Sequence, residues 1–172
     1  MTITDRPDVE AARPSGYDLT PWERKFIGAH LFVAIVALAI GSLIGPLQAL
    51  EYSNVDVYEK LADWGILKSY YQGLTLHGVL NALVWTTFFI VGFTTFTTIR
   101  GLRRPLSYPK INVAGFVVML VGLVLAAVPI LLDKATVLYT FYAPLKANWG
   151  FYVGLTLVVV GSWISGLGFY LT

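Results

Sequence analysis

Residues 69–99 read SYYQGLTLHGVLNALVWTTFFIVGFTTFTTI and contain no Asp, Glu, Lys or Arg. A helix of about 20 apolar residues is long enough to cross the hydrocarbon core of a bilayer. Three further windows lack these charged residues, at positions 26–50, 111–132 and 147–172. Strand alternation is absent, which argues against a barrel. The sequence therefore predicts an all-α integral membrane protein with four transmembrane helices, at about 26–45, 71–99, 111–132 and 149–172.

The composition of the whole chain supports this class. Of its 172 residues, 13% are charged and 56% are hydrophobic, too few charges to cover a water-soluble surface. A soluble enzyme, a nucleic-acid-binding protein and a disordered tail are excluded. Cysteine is absent, which also excludes disulfides, thiolate metal sites and covalent haem attachment through C-x-x-C-H.

The chain divides into a flexible tail, residues 1–19, and a four-span membrane segment, residues 20–172. The first helix is predicted to begin with a capping box. Thr20 is followed directly by Pro21, and Glu23 comes three residues after Thr20. Pro46 is expected to end or bend that helix.

Lysine and arginine are unequally distributed between the two sides of the membrane. The side that holds the N-terminus carries eight and the opposite side four: Arg6, Arg13, Arg24, Lys25, Arg100, Arg103, Arg104 and Lys110, against Lys60, Lys68, Lys134 and Lys146. This asymmetry predicts a multi-pass protein of the cell (plasma) membrane with a cytoplasmic N-terminus. The outer loop, about residues 47–68, is expected to hold a short helix near residues 57–64.

Two histidines fall within the predicted spans. His30 follows Lys25 by about one turn and is expected at the inner interface, with its imidazole reaching water or headgroups. His77 is expected about 10 Å inside the outer edge. Gly73 and Gly78 flank it, and would leave the helix surface bare for a flat macrocycle. Haem or metal ligation and simple packing against a neighbouring helix both remain open for His77.

The depths of the two histidines separate them by about 15 Å along the membrane normal. Axial ligands of one iron lie only about 4 Å apart, at metal–nitrogen bonds near 2 Å. His30 and His77 therefore cannot hold one haem between them, which excludes a stand-alone cytochrome built on this pair. Gly41 and Gly45 form a GxxxG pair, which is expected to open a groove for a neighbouring helix.

Three segments resemble the start of subunit I of B-type haem-copper terminal oxidases, in the cytochrome c oxidase superfamily. They are residues 45–50 (GPLQAL), 69–81 (SYYQGLTLHGVLN) and 135–142 (ATVLYTFY). The resemblance implies the first four helices of the subunit I bundle. It also implies an enzyme that takes electrons from cytochrome c or a blue-copper donor and reduces O2 to water while pumping protons.

The resemblance also implies individual roles. His77 matches an axial ligand of the low-spin haem, expected to be of b type. Tyr139 matches a tyrosine near the oxygen entry route and the dinuclear site, and is a candidate neighbour of the site rather than a ligand. The remaining ligands, for the second haem and for copper, belong to later helices, so no catalytic centre is complete in this chain. Expected partners are the remaining subunit I sequence, a copper-containing subunit II, the electron donor and the lipid bilayer, with no nucleic acid.

The last apolar run is not followed by Lys or Arg, which suggests an N-terminal fragment of a longer subunit. Such a fragment is expected to act only as part of the oxidase and to have no activity alone. The alternative is a non-catalytic four-helix membrane scaffold or transporter-like partner in which His77 is merely packed.

Overall fold

The computed structural model describes residues 18–172. A tail was predicted at residues 1–19, and its residues 1–17 lie outside the described residues. Within the described range the elements are α1 (Pro21–Tyr52), α2 (Tyr58–Asp63), α3 (Tyr70–Gly78), a π-helical segment (Val79–Val84), α4 (Trp85–Leu102), α5 (Pro109–Leu131) and α6 (Trp149–Tyr170).

Four continuous helical spans in residues 18–172 are long and apolar enough to cross a membrane. They are Pro21–Tyr52, Tyr70–Leu102, Pro109–Leu131 and Trp149–Tyr170, of which the second joins α3, the π-helical segment and α4. The prediction of an all-α protein with four transmembrane helices is confirmed. The short helix expected in the outer loop is α2.

The start of α1 forms the predicted capping box. The Thr20 hydroxyl accepts a hydrogen bond from the Glu23 backbone N–H at 3.2 Å, and the Glu23 carboxylate accepts one from the Thr20 N–H at 2.8 Å. The other carboxylate oxygen of Glu23 accepts from the Leu106 N–H at 3.0 Å. Glu23 therefore caps α1 and also ties it to the loop that precedes α5.

The first helix continues past Pro46, which does not end it. It runs to Tyr52, and the N–H of Ser53 reaches the last carbonyl groups of the helix. A proline lacks only its own N–H, so it removes one hydrogen bond while the residues beyond it resume the ladder. The helix consequently extends past the predicted limit at residue 45 to Tyr52.

The second span begins at the cap formed by Ser69, whose hydroxyl accepts from the Gln72 N–H at 3.2 Å. It ends at Arg103, which is left-handed with φ of 54°. Along it, threonine hydroxyls donate to carbonyl oxygens four residues earlier, as at Thr75, Thr86, Thr94, Thr95 and Thr97. These bonds satisfy hydroxyl groups that would otherwise be costly in lipid.

The helices alternate in direction and are tied together at both ends. At the end of the bundle where the second span begins, the Gln72 side chain donates to the Ile130 carbonyl at 2.8 Å. At the end where α1 begins, the Ser107 N–H donates to the Thr172 hydroxyl at 3.2 Å. The core between the spans contains the fully buried side chains of Phe88, Met119, Ile130 and Phe151.

Candidate functional site

His77 lies near the C-terminal end of α3, where its imidazole packs against α1. Its Nδ1 is 2.7 Å from the carbonyl oxygen of Gly41. Because a carbonyl can only accept, Nδ1 carries the ring proton and donates it to Gly41. In the neutral ring Nε2 is then the unprotonated nitrogen.

The Nε2 atom of His77 has no hydrogen-bond partner among residues 18–172, and the side chain is only partly buried. A metal-bound histidine usually donates its other N–H to a carbonyl or carboxylate, which fixes both the tautomer and the plane of the ring. The bond from Nδ1 of His77 to the Gly41 carbonyl has this form. The residue therefore fits the requirements of an axial ligand through Nε2.

The predicted GxxxG groove is confirmed, and the side chains that enter it are those of His77 and Asn81. A Cβ on Gly45 would lie 3.1 Å from Cε1 of His77, and a Cβ on Gly41 would collide with Oδ1 of Asn81. The missing side chain at Gly45 lets the imidazole lie close to the backbone of α1, and the missing side chain at Gly41 leaves room for Asn81.

The surfaces of Gly73 and Gly78 are not bare, so that prediction was wrong. The Tyr58 hydroxyl and the Gln48 side chain cover Gly73, and the Tyr139 ring covers Gly78. The physical reason is that the two outer loops fold back over the helix and fill the space. A flat macrocycle must therefore approach His77 from a direction other than these two glycines.

The His30 imidazole does not reach water or headgroups, so that prediction was also wrong. Its side chain is 0% exposed. Its ring packs against Phe26 and Phe116 at centroid distances of 4.7 and 4.4 Å. Nδ1 hydrogen-bonds the Phe26 carbonyl at 3.1 Å, while Nε2 is buried without a partner. This face of α1 meets Gly92 of the second span rather than lipid or water.

The two histidines are at different heights in the bundle. Gly41, which holds His77, follows His30 by eleven residues (41 − 30) on α1. At 1.5 Å per residue this corresponds to about 16 Å, close to the predicted separation. Within the described residues, no group of three or more His, Cys, Asp or Glu side chains could hold a metal ion. His77 is the candidate ligand because its side chain is partly exposed, whereas Nε2 of His30 is buried.

Tyr139 lies in the loop between α5 and α6, with its ring on Gly78, the residue next to His77. The Thr75 hydroxyl accepts from the Leu138 N–H at 3.0 Å and anchors this loop to α3. Tyr139 is 46% exposed and borders a cavity of about 450 Å³ that Phe141, Tyr152 and Leu155 also line. The structure thus brings Tyr139 close to the candidate ligand without a hydrogen bond to it.

Three polar residues were not anticipated as site residues: Asn81 beside His77, and Gln48 and Tyr58 against Gly73. Asn81 lies one turn along the helix with its Nδ2 3.3 Å from Nδ1 of His77. Gln48 and Tyr58 are buried and hydrogen-bonded to each other on the outer side. Burial, assisted by the charge of Glu51, raises the pKa of Tyr58 to about 12. The four-residue spacing from His77 could have indicated Asn81, whereas the contact of Gln48 with Tyr58 depends on the loop fold.

Comparison with known proteins places this arrangement in a family. Residues 25–172 match the family described as Cytochrome C and Quinol oxidase polypeptide I. A relative, cytochrome c oxidase subunit 1 of Thermus thermophilus, is 43% identical over 150 residues, which cover 87% of this chain and 26% of the relative.

A similar solved structure is titled "Cryo-EM structure of a heme-copper terminal oxidase dimer provides insights into its catalytic mechanism". It superposes with a TM-score of 0.76 at 34% identity, over 87% of this chain and 25% of the solved chain. The present chain thus spans about a quarter of the length of these relatives. The chain belongs to the Cytochrome C and Quinol oxidase polypeptide I family and corresponds to the N-terminal part of subunit I of a haem-copper oxidase.

Proposed function

We propose that this chain contributes one axial ligand, His77, to the low-spin haem of a terminal respiratory oxidase that reduces O2 to water and pumps protons. The observation that carries the proposal is the state of the His77 ring. Nδ1–H is bonded to the Gly41 carbonyl, and Nε2 has no partner within the described residues. Family membership supports the oxidase assignment.

The residues around His77 would orient the ring before the haem binds. The Gly41 carbonyl fixes the tautomer, and Gly45 allows the ring to lie close to α1. A ligand whose orientation is set in advance loses less entropy when the bond to iron forms. When bound, the haem supplies one-electron redox chemistry, and the protein sets its potential and orientation.

The haem at His77 is proposed to be of b type, with the subunit a member of the B-type group. The three segments quoted from the sequence support this assignment. The second axial ligand, the second haem and the copper ligands would come from the rest of subunit I. Tyr139 would lie at the edge of the site, where it covers Gly78 beside the ligand.

The proposed setting is the cell (plasma) membrane, with the N-terminus in the cytoplasm. The excess of Lys and Arg on the N-terminal side supports this orientation. The proposed partners are the remaining subunit I sequence, a subunit II with a copper centre, and cytochrome c or a blue-copper protein as donor. Electron transfer would require these partners, so the chain alone is not expected to turn over.

The test is His77→Ala in the complete subunit within the assembled oxidase. We expect loss of the low-spin haem band from the reduced-minus-oxidised spectrum, because no other imidazole lies at this depth of the chain. The matched control is His30→Ala, which removes the other histidine but should retain the band. An unchanged spectrum in His77→Ala would refute the ligand assignment and favour a scaffold with a packed histidine.

A further inference from the structure

Asn81 lies against both the His77 ring and Gly41, the residue whose carbonyl fixes that ring. Its Nδ2 is 3.3 Å from Nδ1 of His77. Its carboxamide also lies against Gly41, where a Cβ would collide with the Asn81 oxygen. Asn81 therefore fills the space between the ring and the α1 backbone that supplies the ring's hydrogen-bond acceptor.

The polar atoms of Asn81 lack suitable partners in this orientation. Nδ1 of His77 already carries the proton that it donates to Gly41, so the Asn81 NH2 group faces another donor. The Asn81 Oδ1 is buried without a hydrogen-bond partner. A buried polar atom left unsatisfied costs about 1–3 kcal/mol, so this arrangement is unfavourable.

Rotation of the Asn81 carboxamide by half a turn removes the donor–donor contact with His77. The oxygen and nitrogen exchange places with almost no change in the shape of the side chain. Oδ1 then lies where Nδ2 is, 3.3 Å from Nδ1 of His77, and accepts the same N–H that Gly41 accepts. The ring proton is shared between two acceptors.

The helix geometry around Asn81 is also unusual. Asn81 lies inside the π-helical segment Val79–Val84, which begins two residues after His77, and the Trp85 N–H bonds back to the Leu80 carbonyl. Wide turns of this kind are rare and are frequent at functional sites.

We infer that Asn81 is a positioning residue that shares the Nδ1 proton of His77 with the Gly41 carbonyl and thereby tunes the haem bound at Nε2. This inference rests on the proposed function. Stronger hydrogen bonding at Nδ1 makes the imidazole a more basic ligand and favours ferric iron. Asn81 would therefore lower the reduction potential of the low-spin haem.

Two substitutions of similar size shift the potential in opposite directions. Asn81→Leu removes the acceptor and should raise the potential. Asn81→Asp places a negative charge beside Nδ1–H and should lower it. A side chain that only filled space would not respond with opposite signs to these two changes.

The experiment is a potentiometric titration of the low-spin haem band in the assembled oxidase. We expect Asn81→Asp to change the ferric-to-ferrous ratio at a fixed potential by about tenfold, which is about 59 mV for a one-electron couple. We expect a smaller change of opposite sign for Asn81→Leu, which removes the acceptor but adds no charge. Asn112→Leu is the control, because Asn112 is also buried with an unsatisfied oxygen but contacts Gly168 instead. It should produce no shift.

Shifts of the same sign, or no shift in haem-loaded variants, would overturn the inference. If the oxidase with Asn81→Asp does not assemble, Asn81→Ala replaces it as the second variant. Asn81→Ala also removes the acceptor, so it must raise the potential as Asn81→Leu does, and no rise would overturn the inference. His77→Ala separates the two proposals. If His77→Ala loses the low-spin haem band and the Asn81 variants show no shift, the inference about Asn81 fails and the assignment of His77 as ligand stands. If His77→Ala retains the band, both proposals fail.

Discussion

A backbone carbonyl decides which nitrogen of each histidine is available. At His30 and at His77 alike, Nδ1 pairs with a main-chain oxygen and Nε2 is left without a partner among the described residues. The difference lies in the surroundings of Nε2. In His30 it is sealed among the phenyl rings of Phe26, Phe88 and Phe116, whereas the His77 side chain is only half-buried. Access, rather than tautomer, distinguishes the candidate ligand from the packed histidine.

Tyr58 provides a pH-dependent prediction at the same scale. Burial and Glu51 raise its pKa from 10.0 to about 12, so folding favours the neutral phenol. This contribution is complete below pH 10 and is lost as the pH rises through 12. Tyr58→Phe also removes the hydrogen bond from Gln48 and should destabilise the chain by about 1 kcal/mol at neutral pH. The measurement is thermal unfolding in detergent for both proteins, and their difference should shrink between pH 10 and 12. A constant difference across that range would contradict this explanation.

Sequence patterns predicted some of these residues and missed others for a physical reason. The Gly41–Gly45 pair predicted the groove that holds the His77 ring. The environment of His30 was missed because distance from Lys25 gives a height in the membrane but not a helix face. Which face meets Phe116 depends on how the third span packs, and a local pattern does not contain that information.

Glycines set the distance between α5 and α6. Gly115 and Gly122 on α5 oppose Gly161 and Gly154 on α6, and a Cβ at any of them would lie within 3 Å of backbone atoms of the facing helix. Their seven-residue spacing on each helix repeats the contact every two turns.

Gly154→Ala tests this close contact. Its Cβ would collide with the Ala126 nitrogen and lie 2.6 Å from the Gly122 oxygen, so the helices must separate. We expect a loss of about 1–3 kcal/mol in the free energy of unfolding, measured by denaturant titration in detergent. Gly101→Ala is the matched control, since no atom lies within 4 Å of the position its methyl group would take and alanine favours the helix by up to about 1 kcal/mol. Equal effects of the two variants would argue against close packing as the cause.

The presence of each helix was predictable, but its detailed course was not. Charge-free windows mark the part of a helix that lies in lipid, and all four spans contain such a window. They do not show how far helical hydrogen bonding continues outside the lipid, so the extension of α1 to Tyr52 was missed. The π-helical segment has no signal in hydropathy. The loop between α5 and α6 contains Asp133, Leu138 and Phe141 at positive φ, which side-chain type does not predict.

At the scale of the whole molecule, the two ends of the bundle differ in charge and in the hydrogen bonds that join their segments. Glu23 and Thr172 bind the loop before α5 at the end where α1 begins, and Gln72 joins α3 to α5 at the opposite end. The absence of cysteine permits a direct test of orientation. We expect a membrane-impermeant maleimide to label Ser53→Cys in intact cells and Ser107→Cys only after lysis. The reverse pattern would contradict a cytoplasmic N-terminus.

The central claim is that Nε2 of His77 binds the iron of a low-spin haem. The most direct measurement is a structure of the complete, haem-loaded oxidase that contains this chain. We predict an iron atom at bonding distance, about 2 Å, from Nε2 of His77, with Nδ1 still hydrogen-bonded to the Gly41 carbonyl. A low-spin haem held by two other residues, with His77 packed against α1 and no iron at Nε2, would contradict the account.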